Sequence, residues 1–87
     1  MKVIKVFKEI GNYVVTRDSV KELFRKVTDL VEDEIYFDFG NVQFISRSCA
    51  DEYLKHKEIS KKDIKEVNVL ADVKEMLRVV RSSRKNG

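Results

Sequence analysis

The sequence predicts a small α/β domain with a mostly parallel four-stranded sheet and helices packed on it. With 87 residues, the chain has room for one domain. Short apolar segments rich in β-branched and aromatic residues alternate with segments of helical periodicity, a pattern typical of strands joined by helices. Such connections are right-handed and pair their strands in parallel. The predicted order is ββαβαβα over residues 1–80, followed by a basic, flexible tail over 81–87.

The N-terminal third is predicted to hold two strands and one helix. Apolar, β-branched residues at 3–8 and 13–16, on either side of a Gly-Asn pair, predict a β-hairpin or a bent strand. The helix is predicted from one apolar stripe of six side chains: Val20, Leu23, Phe24, Val27, Leu30 and Val31. Ser19 fits a capping box as its N-cap, with Thr16 and Asp18 as alternatives.

The middle third is predicted to hold a buried strand and a short helix. Residues 35–39 are apolar and aromatic on both faces, as in a central strand. A Gly-Asn pair ends this strand, and an apolar patch at 42–45 leads into a serine-rich turn. The apolar residues that follow predict a helix that ends near Lys57, with Ser48 as its N-cap: Ala50, Tyr53 and Leu54.

The C-terminal third is predicted to hold one strand and one amphipathic helix. Residues 64–70 contain Val67 and Val69 at strand spacing. Four apolar residues at helical spacing predict the final helix: Val73, Met76, Leu77 and Val80. Four cations form a basic cluster that could touch nucleic acid or an acidic partner: Arg78, Arg81, Arg84 and Lys85. A solvated helix end is the simpler interpretation of this cluster.

Composition favours a cytoplasmic protein without a membrane segment. The net charge is +3, but 18 basic and 15 acidic residues are interspersed, which is weak support for nucleic-acid binding. Cys49 is the only cysteine and cannot form an internal disulfide, as suits a reducing compartment. No apolar run approaches a membrane span, and the alternation at residues 1–7 indicates a strand in place of a signal peptide. Abundant Lys and Glu with a single glutamine hint at a thermophilic source.

The run from residue 38 to 53 is the most informative part of the chain. Asp38 is predicted to form a turn around Gly40 by bonding backbone N–H groups with its carboxylate. The residues from Ser48 to Asp51 have the form of a capping box, so a helix N-terminus with its free N–H groups is expected here. Arg47 adds a full positive charge, and the combination favours an anion, including a phosphate placed on a serine.

Residues 38–52 also resemble a known signature. They read D-F-G-N-V-Q-F-I-S-R-S-C-A-D-E, which looks like the strand-turn-helix signature of STAS domains, the anti-sigma-factor antagonists. The run is closer to the STAS-like family of unknown function, in which D-F-x-x-V-x-x-I-S-x-S-x-A-D-E is typical. Residues 15–19 resemble the segment before that family's first helix, and the resemblance covers roughly residues 12–80. By this comparison the chain is expected to stop before the final strand and helix of a full STAS domain.

The resemblance implies a small STAS-like sandwich that acts as a regulatory protein-binding module. In anti-sigma antagonists, a partner kinase phosphorylates a serine at the start of this helix and thereby blocks the partner interface. Ser48 matches that position, and Ser46 is the second candidate phosphoacceptor. Four further residues are candidates for partner binding: Arg47, Cys49, Glu52 and Asn41. The implied partner is another protein, either a kinase or a transcriptional regulator.

Enzymatic chemistry is the least supported of the alternatives. His56 lies about two helical turns, or roughly 10 Å, from Cys49, which is too far for a catalytic dyad. With a lysine on each side, His56 is predicted to be exposed. Asp38 and the acidic pairs have no His or Cys at ligand spacing, so neither a metal nor another cofactor is expected. The alternative function kept open is a nucleic-acid-associated domain that uses the basic C-terminal helix.

Overall fold

A computed structural model describes residues 1–85 and places nine helices and strands within them. Their order along the chain is β1 (Lys2–Lys5), α1 (Val6–Glu9), β2 (Tyr13–Val14), α2 (Arg17–Thr28), β3 (Glu34–Asp38), β4 (Phe44–Ile45), α3 (Arg47–Ile59), β5 (Asp63–Val67) and α4 (Ala71–Lys85).

The strands form two parallel sheets. The larger sheet has the order β1-β3-β5, and the smaller one pairs β2 with β4. The predicted α/β class and parallel pairing are confirmed, but the predicted single four-stranded sheet is wrong. The predicted hairpin is also wrong, because the helical turn α1 separates β1 from β2 and each of these strands pairs with a later one. The structure has one strand more than predicted: β4, which lies within the apolar patch at 42–45.

The three long helices cover one face of the larger sheet. α3 lies between α2 and α4 and contacts both. Along β3, Ile35 and Phe37 are buried against this layer, whereas Tyr36 points to the opposite face. The two connections β1 to β3 and β3 to β5 run in the same direction, so right-handed crossovers place their helices on one side. The opposite face is left uncovered by α2, α3 and α4, and it presents Val3, Tyr36 and Lys65 in one row.

Four aromatic side chains form the centre of the core. Phe24 of α2 lies 5.5 Å from Phe37 of β3 and 5.5 Å from Tyr53 of α3, measured between ring centroids. Tyr53 also packs edge-on against Phe37 and Phe39, each at 5.7 Å. These contacts join helix to helix and helix to sheet, so the start of α3 is held on a rigid base.

Several element boundaries differ from the sequence-based expectation. α2 ends at Thr28, so Leu30 and Val31 of the predicted stripe lie beyond it, and α3 continues to Ile59. β5 ends at Val67 because Asn68 adopts a left-handed conformation, with φ of 57°. α4 continues to Lys85, so residues 81–85 of the expected tail are helical, and residues 86–87 lie outside the described part of the chain. None of the helices within residues 1–85 combines the length and the apolar character needed to cross a membrane.

Candidate functional site

The start of α3 is capped by Ser46. Its Oγ accepts a hydrogen bond from the Cys49 N–H at 3.2 Å, and its backbone is extended, as an N-cap requires. The Ser46 N–H in turn donates to the Val14 carbonyl at 2.9 Å, which fixes the cap to β2. The predicted cap, Ser48, is therefore wrong: β4 runs directly into the helix, so the helix begins two residues earlier than expected.

Ser48 lies in the first turn of α3 and is exposed to solvent. Its Oγ is 3.3 Å from the Oγ of Ser46. The two candidate phosphoacceptors therefore have different surroundings. The hydroxyl of Ser46 is engaged in holding the helix, whereas that of Ser48 can be modified without removal of the cap.

Replacing Ser46 by alanine should lower the free energy of unfolding by about 1 kcal/mol, because the Cys49 N–H loses its acceptor. The same replacement at Ser48 should change stability by less than about 0.5 kcal/mol, as is usual for exposed positions. Urea denaturation followed by circular dichroism measures both. An equal loss in the two variants would contradict the assignment of the cap to Ser46.

Arg47 and Asn41, two of the predicted partner-binding residues, are both exposed but occupy different surroundings. Arg47 donates a hydrogen bond to the Ser83 Oγ of α4 at 3.3 Å, so its guanidinium lies against α4. Asn41 adopts a left-handed conformation, with φ of 70°, in the loop after β3. It lines a separate cleft together with Lys5.

Cys49 and Glu52 do not belong to an accessible surface. They are 0% and 4% exposed, so their predicted role in partner binding is wrong. Both lie on the inner face of α3, which packs toward the sheet and α2. The Cys49 thiol has no access to solvent, and His56 is engaged with Glu52, so the two residues form no dyad.

Glu52 is the only polar side chain in the core of residues 1–85. Its Oε2 lies 2.7 Å from Nε2 of His56 and 3.4 Å from Nζ of Lys55. His56 stacks on Phe24 with 5.2 Å between ring centroids, so it is partly buried, contrary to the prediction. Burial alone would raise the pKa of Glu52. The contacts from His56 and Lys55 outweigh it and hold that pKa below the ordinary value of 4.5.

An apolar strip of Tyr13, Val15 and Phe44 adjoins the start of α3. The three side chains are 56%, 55% and 43% exposed. Tyr13 is paired with Phe44 across the small sheet, while Val14 and Ile45 point into the core. The sequence analysis missed this strip, because every residue involved is apolar and strands of two residues are too short to show alternation.

Asp38 holds the turn after β3. Its Oδ1 accepts hydrogen bonds from the Gly40 N–H at 2.8 Å, the type of contact predicted for this turn, and from the Asn68 amide at 3.1 Å. These two bonds, chiefly the one from Gly40, hold the pKa of Asp38 below its ordinary value. A Cβ on Gly40 would lie 3.0 Å from Asp38 Oδ1, so the close approach favours glycine.

Ion pairs within the fold occupy two cations of the C-terminal basic cluster. Arg78 pairs with Glu75 one turn away on α4. Arg84 reaches α3, where it pairs with Asp51 at 2.8 Å and with Glu58. These ion pairs neutralise two of the four cations that nucleic acid would contact, and the alternative function stays a prediction.

No protein-family model, curated protein or solved structure matches the chain. Within residues 1–85, His, Cys, Asp and Glu side chains do not gather in groups of three that could hold a metal ion.

Proposed function

We propose that this chain is a regulatory protein-binding module of the STAS-like type, which docks a partner protein on the apolar strip and is switched by phosphorylation of Ser48. The observation that carries the proposal is that exposed aromatic side chains adjoin an exposed serine at a helix start. The Ser46 N–H is bonded to the Val14 carbonyl, so the small sheet that carries the strip is joined directly to the residue that caps the helix.

The strip has the composition of a protein-docking site. Aromatic side chains are enriched where proteins bind one another, because they bury a large area at low entropic cost. Tyr13 and Phe44 lie side by side on the outer face of the small sheet. An exposed Arg47 and an exposed Ser48 provide the polar rim. A protein partner with a complementary apolar pocket fits this surface better than a small molecule does.

Phosphorylation at Ser48 is supported by the charge of its surroundings. A partner kinase would transfer the γ-phosphoryl group of ATP to Ser48 Oγ, with loss of the hydroxyl proton and release of ADP. The dianion would meet the positive end of the α3 dipole, and the cationic Arg47 is the preceding residue of the chain. Because Ser46 supplies the cap, the helix would stay intact while two negative charges appeared at the edge of the docking surface.

The first test is affinity capture from an extract of the source organism, followed by binding measurements with the purified partner. The baits are the wild type, Ser48→Ala, Ser48→Asp and Phe44→Ser. Val67→Ser serves as the matched control, because Val67 is a partly exposed apolar residue on the uncovered face of the larger sheet. Mass spectrometry of the wild-type bait, incubated with the partner and MgATP, locates the phosphate.

Wild type, Ser48→Ala and Val67→Ser should bind the purified partner equally, while Ser48→Asp and Phe44→Ser should bind at least about tenfold more weakly. Phosphate should appear on Ser48 and be absent from the Ser48→Ala variant. Equal binding by all five baits would contradict the docking surface. A partner that leaves Ser48 unmodified, and that binds Ser48→Asp as tightly as wild type, would contradict the switch.

A further inference from the structure

A second polar site lies at the carboxyl ends of β1 and β3, apart from the surface around Ser48. An open cleft of about 500 Å³ is lined there by Lys5, Phe7, Lys8, Asp38, Gly40 and Asn41. Its volume is within the range of small-molecule sites.

The cleft opens toward the uncovered side of the larger sheet. Lys5 is the register partner of Asp38, and residues paired across a parallel sheet point to the same face. Phe37 and Phe39, on either side of Asp38, point into the core. The ammonium group of Lys5 and the carboxylate of Asp38 therefore extend to the side that the long helices leave open.

Asp38 is held as a preorganised hydrogen-bond acceptor. Both of its hydrogen bonds from residues 1–85 go to Oδ1, which leaves Oδ2 available to a ligand. Asn41 and Asn68 flank this carboxylate, and they are the only non-glycine residues of the described chain with positive φ. Such conformations carry a conformational cost and concentrate at binding sites.

The remaining groups supply positive charge and an apolar surface. Lys5 and Lys8 are exposed, and neither forms an ion pair with another residue of the described range. Phe7 lies between the two lysines in the chain, and 38% of this residue is exposed. Two ammonium groups suit a phosphate, a carboxylate acceptor suits hydroxyl donors, and an aromatic ring suits the apolar face of a sugar or a base.

We propose that this cleft binds a phosphate monoester with a hydroxylated carbon skeleton, with the phosphate on Lys5 and Lys8 and the hydroxyls on Asp38. Ribose 5-phosphate contains only these features, and adenosine 5′-monophosphate adds a base that can lie on Phe7. Inorganic phosphate has the phosphate group without the hydroxylated carbon skeleton, and free ribose has the hydroxyl groups without the phosphate. This ligand site is independent of the partner surface, so the failure of either proposal leaves the other standing.

The test is a titration of the ¹⁵N-labelled full-length protein followed by two-dimensional NMR. Ribose 5-phosphate should bind with Kd of about 1 mM, as expected for a ligand of its size in an open cleft. The amide shifts should be confined to residues 5–8 and 38–41. Adenosine 5′-monophosphate should bind more tightly if the base contacts Phe7 and equally tightly if the sugar alone is recognised. Inorganic phosphate and ribose should each bind at least about tenfold more weakly.

Matched variants separate the two halves of the site. Lys8→Glu should weaken ribose 5-phosphate at least about tenfold, whereas Lys2→Glu, the same change on β1 about 10 Å from Lys5, should weaken it less than about twofold. Asp38→Asn keeps an oxygen for the Gly40 N–H but should reduce the affinity for ribose 5-phosphate to that for inorganic phosphate. Absence of binding up to about 20 mM, or equal effects of Lys8→Glu and Lys2→Glu, would overturn the proposal.

Discussion

Replacing Phe37 by alanine should lower the free energy of unfolding by about 3 to 5 kcal/mol. Phe37 is 0% exposed and lies at the centre of the aromatic cluster, 5.5 Å from Phe24 and 5.7 Å from Tyr53. The variant loses the burial of the ring and leaves a cavity between the sheet and two helices. A domain of this size has about 5 to 10 kcal/mol of stability, so the expected loss is a large share of the total.

The neighbouring residue provides the control. Tyr36→Ala changes the same strand at a side chain that points to the uncovered face of the sheet, where it lies 5.9 Å from Nζ of Lys65. That replacement should cost less than about 1.5 kcal/mol, because the side chain is only partly buried and its removal leaves no enclosed cavity. Urea denaturation of both variants measures the difference. Equal losses would show that both faces of the larger sheet are covered, contrary to the two-layer architecture.

Replacing Glu52 by glutamine should lower the free energy of unfolding by about 2 kcal/mol at pH 7. Glu52 is buried, and the negative charge of its carboxylate strengthens its contacts with His56 and Lys55. Glutamine has nearly the same size as glutamate, so the loss of stability reports the removal of the negative charge and not a change in packing. The same replacement at Glu22, an exposed residue of the ion pair with Arg25, should cost about 0.5 kcal/mol or less.

The difference between wild type and Glu52→Gln should depend on pH. The pKa of Glu52 in the folded protein is held below the ordinary value of 4.5, so the folded state binds the proton less readily than the unfolded chain does. The stability contributed by the carboxylate is therefore complete above pH 4.5 and is lost as the pH falls through the lowered folded pKa. Denaturation curves at pH 7, 5 and 3 follow this loss. A difference that stays constant down to pH 3 would contradict the assignment.

Local patterns in the sequence determine much of the fold. The apolar stripe from Val20 to Val31 predicts α2, because helical periodicity places those side chains on one face whatever they pack against. The helix itself ends at Thr28, and Val31 lies beyond it, 91% exposed. The run at 35–39 predicts β3, because a short run of apolar and aromatic residues ended by Gly-Asn is typical of a central strand. Alternation of strands and helices predicts parallel pairing. The turn at Asp38 follows from its side chain, which bonds a backbone group two residues away.

Contacts between residues far apart in the chain decide which strands pair and which serine caps α3. β1 and β2 could form a hairpin by composition. Pairing with β3 instead places β1 in a three-stranded sheet packed on helices, which is more stable than an isolated two-stranded hairpin. Ser46 and Ser48 are equally good caps by residue type. The bond from the Ser46 N–H to β2 selects Ser46 and leaves Ser48 exposed.

The sequence alone determined the α/β class, the main helices and the serine-rich helix start. Only the tertiary structure decided which surfaces are accessible. It buries Cys49 and Glu52, and it exposes Tyr13 and Phe44. The order of apolar and polar residues along the chain does not indicate this difference. The physical reason is that periodicity records which residues share a face of one element. Which face is covered depends on strand pairing and helix packing between residues far apart in the chain.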